Sequence, residues 1–258
     1  MRRTPPPEPW SKAALWSRRL ALLAAAVALG AAAASRAHRL APEPALTLLG
    51  AGLALSLAAL LLFVAACVVI WQEGRRGVGA AATALAVIAL TFAWPAWLAA
   101  KAVRLPVLAD ISTDIADPPH FSMSAAADRA RNGWRPPSIP EKAREAQRAA
   151  YPEVGPVVVD VDADEAFALV LKTAAAQGWR AIDQHPPGGR RGEGRIDFVA
   201  PTPVMGFLDD ITVRLRPLPG QSRIDIRAAT RYGRHDFGAG AARIQQFSEG
   251  LQAQLDER

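Results

Sequence analysis

The sequence predicts a membrane protein of two parts, three transmembrane helices followed by a soluble α+β domain. Residues 45–71 and 78–100 are uncharged apolar runs, and each exceeds the roughly 20 residues that cross a hydrocarbon core. Helices and hairpins mixed in the remaining chain favour a mainly antiparallel sheet of about five strands carrying two helices on one face. The alternative is a helix-grip arrangement in which Trp179 and Phe198 line an apolar pocket.

Charge is distributed unevenly between the two parts. Residues 1–100 contain nine Lys or Arg and three Asp or Glu, whereas residues 101–258 contain 21 of each sign. The basic excess therefore flanks the apolar runs, and the neutral soluble part argues against nucleic acid as a partner. The single cysteine and four scattered histidines form no metal-ligand pattern, so we expect no metal and no cofactor.

The first apolar run, residues 13–35, is the weakest of the three. Residues 20–35 are too few to span a bilayer, so the helix must also include residues 13–17. Arg18 and Arg19 must then extend their charged groups to the interface. A cleaved signal peptide with a twin-arginine motif is the alternative.

The basic flanks of the helices predict their orientation in the membrane. Seven Lys and Arg residues lie before or within the first turns of the first helix or between the second and third, and four lie on the opposite side. Cytoplasmic loops carry the excess of Lys and Arg. We therefore expect an inner-membrane protein with a cytoplasmic tail at residues 1–12 and a periplasmic C-terminal domain.

Residues 101–150 form a predicted proline-rich connector. Prolines recur at positions 106, 118, 119, 136, 137 and 140, which excludes a long helix and favours extended backbone. Residues 141–150 have helix-forming composition and predict one short surface helix. Two interpretations stay open: a spacer that holds the domain off the bilayer, or a strap packed on the surface of the domain.

The soluble domain, residues 151–258, predicts the order strand, helix, four strands and a final helix. A β-branched run at 156–161 predicts the first strand, and Asp162 or Asp164 caps a helix that ends at Gly178. Further strands are expected at residues 179–184 and 195–200 and in a hairpin that turns at Pro219 and Gly220, before a last helix capped by Asp236.

The hairpin sorts its side chains into two faces when Pro217 pairs with Ser222. Ile and Val residues point one way and charged residues the other, and a slip of one residue would mix the two sets. The polar face is either a solvated lattice that keeps the domain soluble or part of a binding surface. The pairs of residues that lie opposite each other on this polar face are Arg214 with Asp225, Thr212 with Arg227, and Asp210 with Ala229.

Two glycines, Gly238 and Gly240, follow Asp236 in the first turn of the last helix. One interpretation is an anionic group that approaches the backbone amides of the helix start, aided by nearby arginines. The other is close packing that leaves no room for a β-carbon.

Several short motifs follow one another in a recognisable order. They are Leu105-Pro106, Asp110-Ile111-Ser112-Thr113, Tyr151-Pro152, Gly178-Trp179, Gly206-Phe207 with Asp209-Asp210 and Arg214, and Asp225-x-Arg227-x3-Arg231-x-Gly233-x2-Asp236-x-Gly238-x4-Arg243-Ile244. This order resembles domain of unknown function 1499 over residues 104–252. The resemblance implies a membrane-anchored envelope domain and supplies no chemistry. Ala228, Thr230 and Gly240 depart from the family pattern, which has serines at the first two positions and asparagine at the third.

The residues favour binding over catalysis. No nucleophile with an adjacent base and no phosphate loop occurs, and Asp209 and Asp210 point to opposite faces of their strand, so we expect no catalytic residue. We expect a module that binds an anionic lipid, a cell-wall fragment or an envelope protein, with a structural scaffold and a hydrolase as alternatives. The predicted ligand-binding residues are Arg227, Arg231, Arg234, Gly238, Gly240 and Arg243, supported by Asp210, Arg214 and Asp225.

Overall fold

A computed structural model describes residues 8–188 and 192–257 of the chain. Residues 1–7 of the predicted cytoplasmic tail lie outside this description. The two compact units into which the chain divides are residues 1–100 with 204–206, and residues 101–203 with 207–258.

Three helices dominate the first unit: α1 (Lys12–Arg36), α2 (Pro42–Glu73) and α3 (Val78–Arg104), whose last residues belong to the second unit. Each is long and apolar enough to cross a membrane. The weak first run is thus part of one continuous helix. The proline at the start of α2 suits a position without an intrahelical N–H bond, and Gly74, with φ of 63°, ends that helix.

Small residues pack the three helices together. Ala21 on α1, Ala59 on α2 and Ala84 on α3 are fully buried in one cluster, and the Ser17 hydroxyl donates a 2.8 Å hydrogen bond to the carbonyl of Ala59. Small side chains let helix backbones approach closely, as in membrane helix bundles. Large apolar residues such as Leu61 stay exposed on the outside, where a lipid phase would cover them. The chain is a membrane protein.

The second unit contains the α+β domain and confirms the predicted order of strand, helix, four strands and helix. One further strand, drawn from the predicted connector, precedes them. Its elements are β1 (Asp110–Ser112), α4 (Ala125–Ala130), α5 (Glu141–Ala150), β2 (Val157–Val159), α6 (Ala163–Ala176), β3 (Arg180–His185), β4 (Gly194–Pro201), β5 (Leu208–Leu218), β6 (Gln221–Thr230) and α7 (Ala239–Asp256).

The strands form one antiparallel sheet in the order β1-β6-β5-β4-β3, and β2 pairs with the other end of β6. The β5–β6 hairpin has the predicted register, with Arg214 opposite Asp225 and Thr212 opposite Arg227. Its alternate Ile, Val and Leu residues are fully buried against α6 and α7. The predicted sheet with two helices on one face is therefore confirmed.

Trp179 belongs to the core between the sheet and α7. Its ring stacks on Phe247 with centroids 4.9 Å apart and meets the edge of Phe198 at 5.7 Å. All three side chains are buried in the same apolar cluster. Core packing therefore accounts for Trp179 and Phe198, and the pocket of the helix-grip alternative is not formed by them.

The polar face of the hairpin is buried, which contradicts one of its two interpretations, the solvated lattice. Asp210, Thr212 and Asp225 have no solvent exposure, and Arg214 and Arg227 are less than one tenth exposed. The covering segment is residues 110–140, here called the strap, which contributes β1 to the sheet edge and α4 above the strands. Of the two interpretations of the connector, the packed strap describes the structure.

Candidate functional site

The strap is attached to the sheet through guanidinium–carboxylate pairs. Arg227 on β6 donates from Nη2 to Asp110 Oδ2 at 2.7 Å and from Nε to Asp110 Oδ1 at 3.0 Å. The same guanidinium donates to the carbonyls of Pro119 and Pro137, at 3.2 and 2.9 Å. A two-pronged pair with a planar guanidinium fixes geometry as well as charge. Arg227 therefore orders the beginning and the end of the strap together.

Asp210 lies at the centre of a second pair, clamped between two arginines. Arg131, which follows α4, donates from Nε to Asp210 Oδ1 at 3.0 Å, and Arg231 donates from Nε to Oδ2 at 2.7 Å. Arg131 also donates to the carbonyl of Ser122 at 2.8 Å and lies 3.3 Å from a carboxylate oxygen of Asp197. Two buried guanidinium groups are thus balanced by two buried carboxylates.

A third cluster lies toward the hairpin turn. Arg214 donates to Asp117 at 2.7 Å and to Asp225 at 3.1 Å, and Asp114 accepts from Arg216 at 2.8 Å and from Arg223 at 3.0 Å. Asp114 and Asp117 belong to the strap. Sequence reasoning paired Arg214 with Asp225 correctly but missed both strap aspartates, because their positions in an extended segment carry no periodicity.

Phe121 lies between two of these arginines. Its ring centroid is 5.1 Å from the guanidinium carbon of Arg131 and 5.0 Å from that of Arg227. A cation within about 6 Å of a ring face is attracted by its quadrupole. The strap therefore presents a rigid aromatic wall held by two fixed cations.

A cleft of about 410 Å³ opens beside this wall. Its lining combines cationic groups with apolar ones, and no carboxylate of the described residues takes part in it. The basic residues are His120, Arg131, Arg135, Arg144 and Arg227; the apolar ones are Pro118, Phe121, Met123, Pro136, Pro137 and Ile139; two serines, Ser122 and Ser138, complete it.

The start of α7 holds an anion that belongs to the chain itself. Asp236 accepts from the backbone N–H of Gly238 at 2.8 Å and from that of Gly240 at 2.9 Å. A β-carbon on Gly240 would lie 2.8 Å from Asp236 Oδ2 and 3.1 Å from Ile111 Cγ1. Gly238 also has a φ of 78°, which favours glycine. Close packing around an internal cap therefore explains both glycines.

The predicted binding arginines are divided by the fold. Arg227 lines the cleft, Arg231 holds Asp210, and Arg243 donates to Asp209 at 2.7 Å. Arg234 lies exposed in the loop before α7, near exposed Tyr232. The structure does not unite these arginines in one site, and it adds Arg131, Arg135 and Arg144, which sequence reasoning did not select.

Burial and ion pairing shift the pKa values of several strap and sheet carboxyls in opposite directions. Burial raises the pKa of Asp110 and of Asp197, although Arg227 and Arg131 oppose the change. Burial likewise raises the pKa of Asp236. Although burial opposes it, hydrogen bonding and the charges of three arginines hold the pKa of Asp114 below its ordinary value of 3.8.

Asp209 and Asp210 do not lie together as a pair on one face of the sheet. Asp209 accepts from Arg243 on α7, whereas Asp210 accepts from Arg131 of the strap, so the two point to opposite faces of β5. The Ser122 hydroxyl donates to Asp183, and His185 lies on the same carboxylate at 3.6 Å. The imidazole is therefore separated from the hydroxyl by the carboxylate and does not act as its base.

No group of three or more His, Cys, Asp or Glu suited to a metal ion occurs within residues 8–188 and 192–257. Residues 110–251 match the model of the family described as "Protein of unknown function (DUF1499)". Curated proteins and solved structures give no match to the chain.

Asp210→Asn tests the central clamp. The substitution leaves the buried cations Arg131 and Arg231 without a carboxylate between them, so we expect the free energy of unfolding to fall by about 3–5 kcal/mol. Chemical denaturation of the detergent-solubilised full-length protein measures the loss. Asp128→Asn is the control, because it removes the partner of exposed Arg135 and should cost less than about 1 kcal/mol. Equal, small losses in both variants would contradict the clamp.

Asp114 predicts a loss of stability in acid. A depressed pKa contributes stability that is present above 3.8 and is lost as pH falls through the folded-state value. The difference in unfolding free energy between wild type and Asp114→Asn should therefore shrink as pH falls below 3.8. For Asp110, whose pKa is raised, the titration contribution is present below 3.8 and lost as pH rises. Denaturation at a series of pH values should therefore give opposite trends for the two asparagine variants.

Proposed function

Because the chain belongs to the DUF1499 family, whose function is unknown, we propose a function from the geometry of the domain: a membrane-anchored module that binds an anionic ligand in the cleft beside Phe121. The observation that carries this proposal is the lining, which has four arginines, one histidine and no carboxylate among the described residues. Arginine is well suited to carboxylate and phosphate, because its planar donors match both groups. A volume of about 410 Å³ suits a small ligand.

The four arginines divide into two fixed and two available cations. Arg131 and Arg227 are buried, and Asp210 and Asp110 balance their charges from behind. Arg135 Nη2 lies 3.2 Å from Asp128 Oδ1, and both side chains are exposed. Arg144 Nε lies 3.9 Å from Oε2 of exposed Glu141. Exposed pairs of this kind contribute about 0–1 kcal/mol, so an anion in the cleft can replace them at little cost.

The strap would then form the fixed part of the binding cleft. The fixed pair on either side of Phe121 shapes the floor of the cleft, and Arg135 and Arg144 bind the ligand from the rim. Because the fixed arginines are held by buried carboxylates, only local side-chain movement at the rim is required for binding. A rigid floor lowers the ordering cost that binding must overcome.

The proposed location is the periplasmic side of the inner membrane, with the N-terminus in the cytoplasm. The support is the distribution of basic flanks around the three helices. A ligand of the cell envelope, either an anionic lipid, a cell-wall fragment or an acidic group of a partner protein, would meet the domain there.

A structural scaffold is the second candidate. The observation in its favour is that Arg214, Arg227 and Arg231 are each satisfied by carboxylates of the same chain, with no ligand required. A scaffold predicts no dependence of any binding on Arg135 or Arg144.

The double variant Arg135→Gln/Arg144→Gln tests the binding module. We expect it to lower the affinity of the full-length protein for anions by about tenfold or more, because each charge-assisted hydrogen bond contributes about 1.5–3 kcal/mol. Titration calorimetry in uncharged detergent, with inorganic phosphate, glycerol phosphate, an anionic lipid and an acidic peptide as probes, measures the change. The matched control is Arg129→Gln/Arg148→Gln, which removes the same charge from exposed positions outside the cleft.

The outcome separates the two candidates. If none of the anions binds, or if the control double variant lowers affinity as much as the cleft variant, the cleft is not the binding site and the scaffold is favoured.

The proposed orientation predicts a pattern of reporter activity. A reporter joined after Arg104 should be active only outside the cytoplasm, because it follows three spans. A reporter joined after Gly74, between α2 and α3, should be active only inside. The same pair of fusions with the opposite activities would refute the periplasmic location.

A further inference from the structure

We infer that the ligand of the cleft is an anionic phospholipid, whose phosphate binds Arg135 and Arg144 while its glycerol and first acyl carbons contact the apolar wall. This inference rests on the proposed function, since it names the ligand class of the same cleft. It depends on three observations: the apolar share of the lining, the position of the available cations at the border of that share, and the membrane anchor.

The apolar share of the lining exceeds what a free anion needs. Phe121, Ile139 and three prolines form a wall without charge, and Met123 stands at the opening with 64% of its surface exposed. A free phosphate or an acidic peptide would leave this wall in contact with water. A ligand that carries both an anionic group and methylene groups covers both parts, and each buried methylene contributes about 0.8 kcal/mol.

Fixed and available cations lie where such a ligand requires them. Arg131 and Arg227 are turned toward carboxylates of the sheet and strap and hold Phe121 between them. They maintain the apolar wall without adding net charge to it. Arg135 lies next to Pro136, and Arg144 donates to the carbonyl of Ile139 at 3.2 Å, so both available cations border the apolar residues. The lining thus places cations beside apolar residues, as a phospholipid places its phosphate beside apolar carbons.

The size of the cleft and the membrane anchor also favour a phospholipid as the ligand. A volume of about 410 Å³, near the lower end of ligand pockets, admits a head group and the first part of a chain rather than a whole two-chain lipid. A chain tethered by three membrane helices meets lipid at an effective concentration far above that of a soluble ligand.

Met123→Ser distinguishes a lipid from a head group. Native mass spectrometry of the full-length protein in uncharged detergent would count bound phosphatidylglycerol, phosphatidylcholine with identical chains, and glycerol phosphate. We expect phosphatidylglycerol to bind most tightly, and Met123→Ser to weaken it about fivefold while leaving glycerol phosphate unchanged. Val158→Ser is the matched control, because Val158 is 50% exposed and lies on β2, outside the cleft.

Lipids that bind the membrane helices would add equally to every variant, because the substitutions lie in the soluble domain. Each lipid affinity is therefore compared between wild type and variant. Arg135→Gln/Arg144→Gln should reduce phosphatidylglycerol to the level of phosphatidylcholine. Equal binding of glycerol phosphate and phosphatidylglycerol, or tighter binding of the acidic peptide in the calorimetric titration, overturns the lipid inference while the anion-binding cleft stands. If the affinity of no probe depends on Arg135 and Arg144, both the lipid inference and the proposed function are wrong.

Discussion

Buried guanidinium–carboxylate pairs between the sheet and the strap are the constraint on which the rest of the domain depends. Asp210 and Asp225 on the hairpin have no solvent exposure, and a buried charge without a partner is strongly destabilising. The strap supplies Arg131 to Asp210, and the sheet supplies Arg227 to Asp110 of the strap, whereas Asp225 is paired within the hairpin. Strap and sheet must therefore fold as one unit, since the first two pairs cross between them.

The cleft exists because of this constraint. A proline-rich segment has few backbone hydrogen bonds of its own, so its path is set by the carbonyls and aspartates that the sheet arginines hold. Arg227 contacts the backbone at Pro119 and Pro137, which brings the two walls of the cleft together. The balanced charge of the domain thus serves internal pairing, and the cations left at the rim are few and local.

Sequence reasoning succeeded where side-chain periodicity is strong. The transmembrane runs, the order of the elements and the register of the β5–β6 hairpin follow from apolar patterning, because a shift of one residue would expose the core face. The burial of the polar face under the strap did not follow from the sequence. Alternation shows which residues share a face and does not show what covers that face. Arg131, Arg135 and Arg144 were missed for a similar reason, since no local pattern shows that these residues, from a helix end, a loop and α5, meet in space.

The sequence alone determined the membrane anchor, the family and the α+β sheet with its two helices, because length, hydropathy and strand period are local properties. It also showed that Asp209 and Asp210 point apart. Only the tertiary structure decided that the polar face is buried, that Ile111 packs against Gly240 at the start of α7, and that the arginines act mainly within the chain. Those outcomes depend on contacts between residues about a hundred positions apart, such as Asp110 with Arg227, which no local pattern encodes.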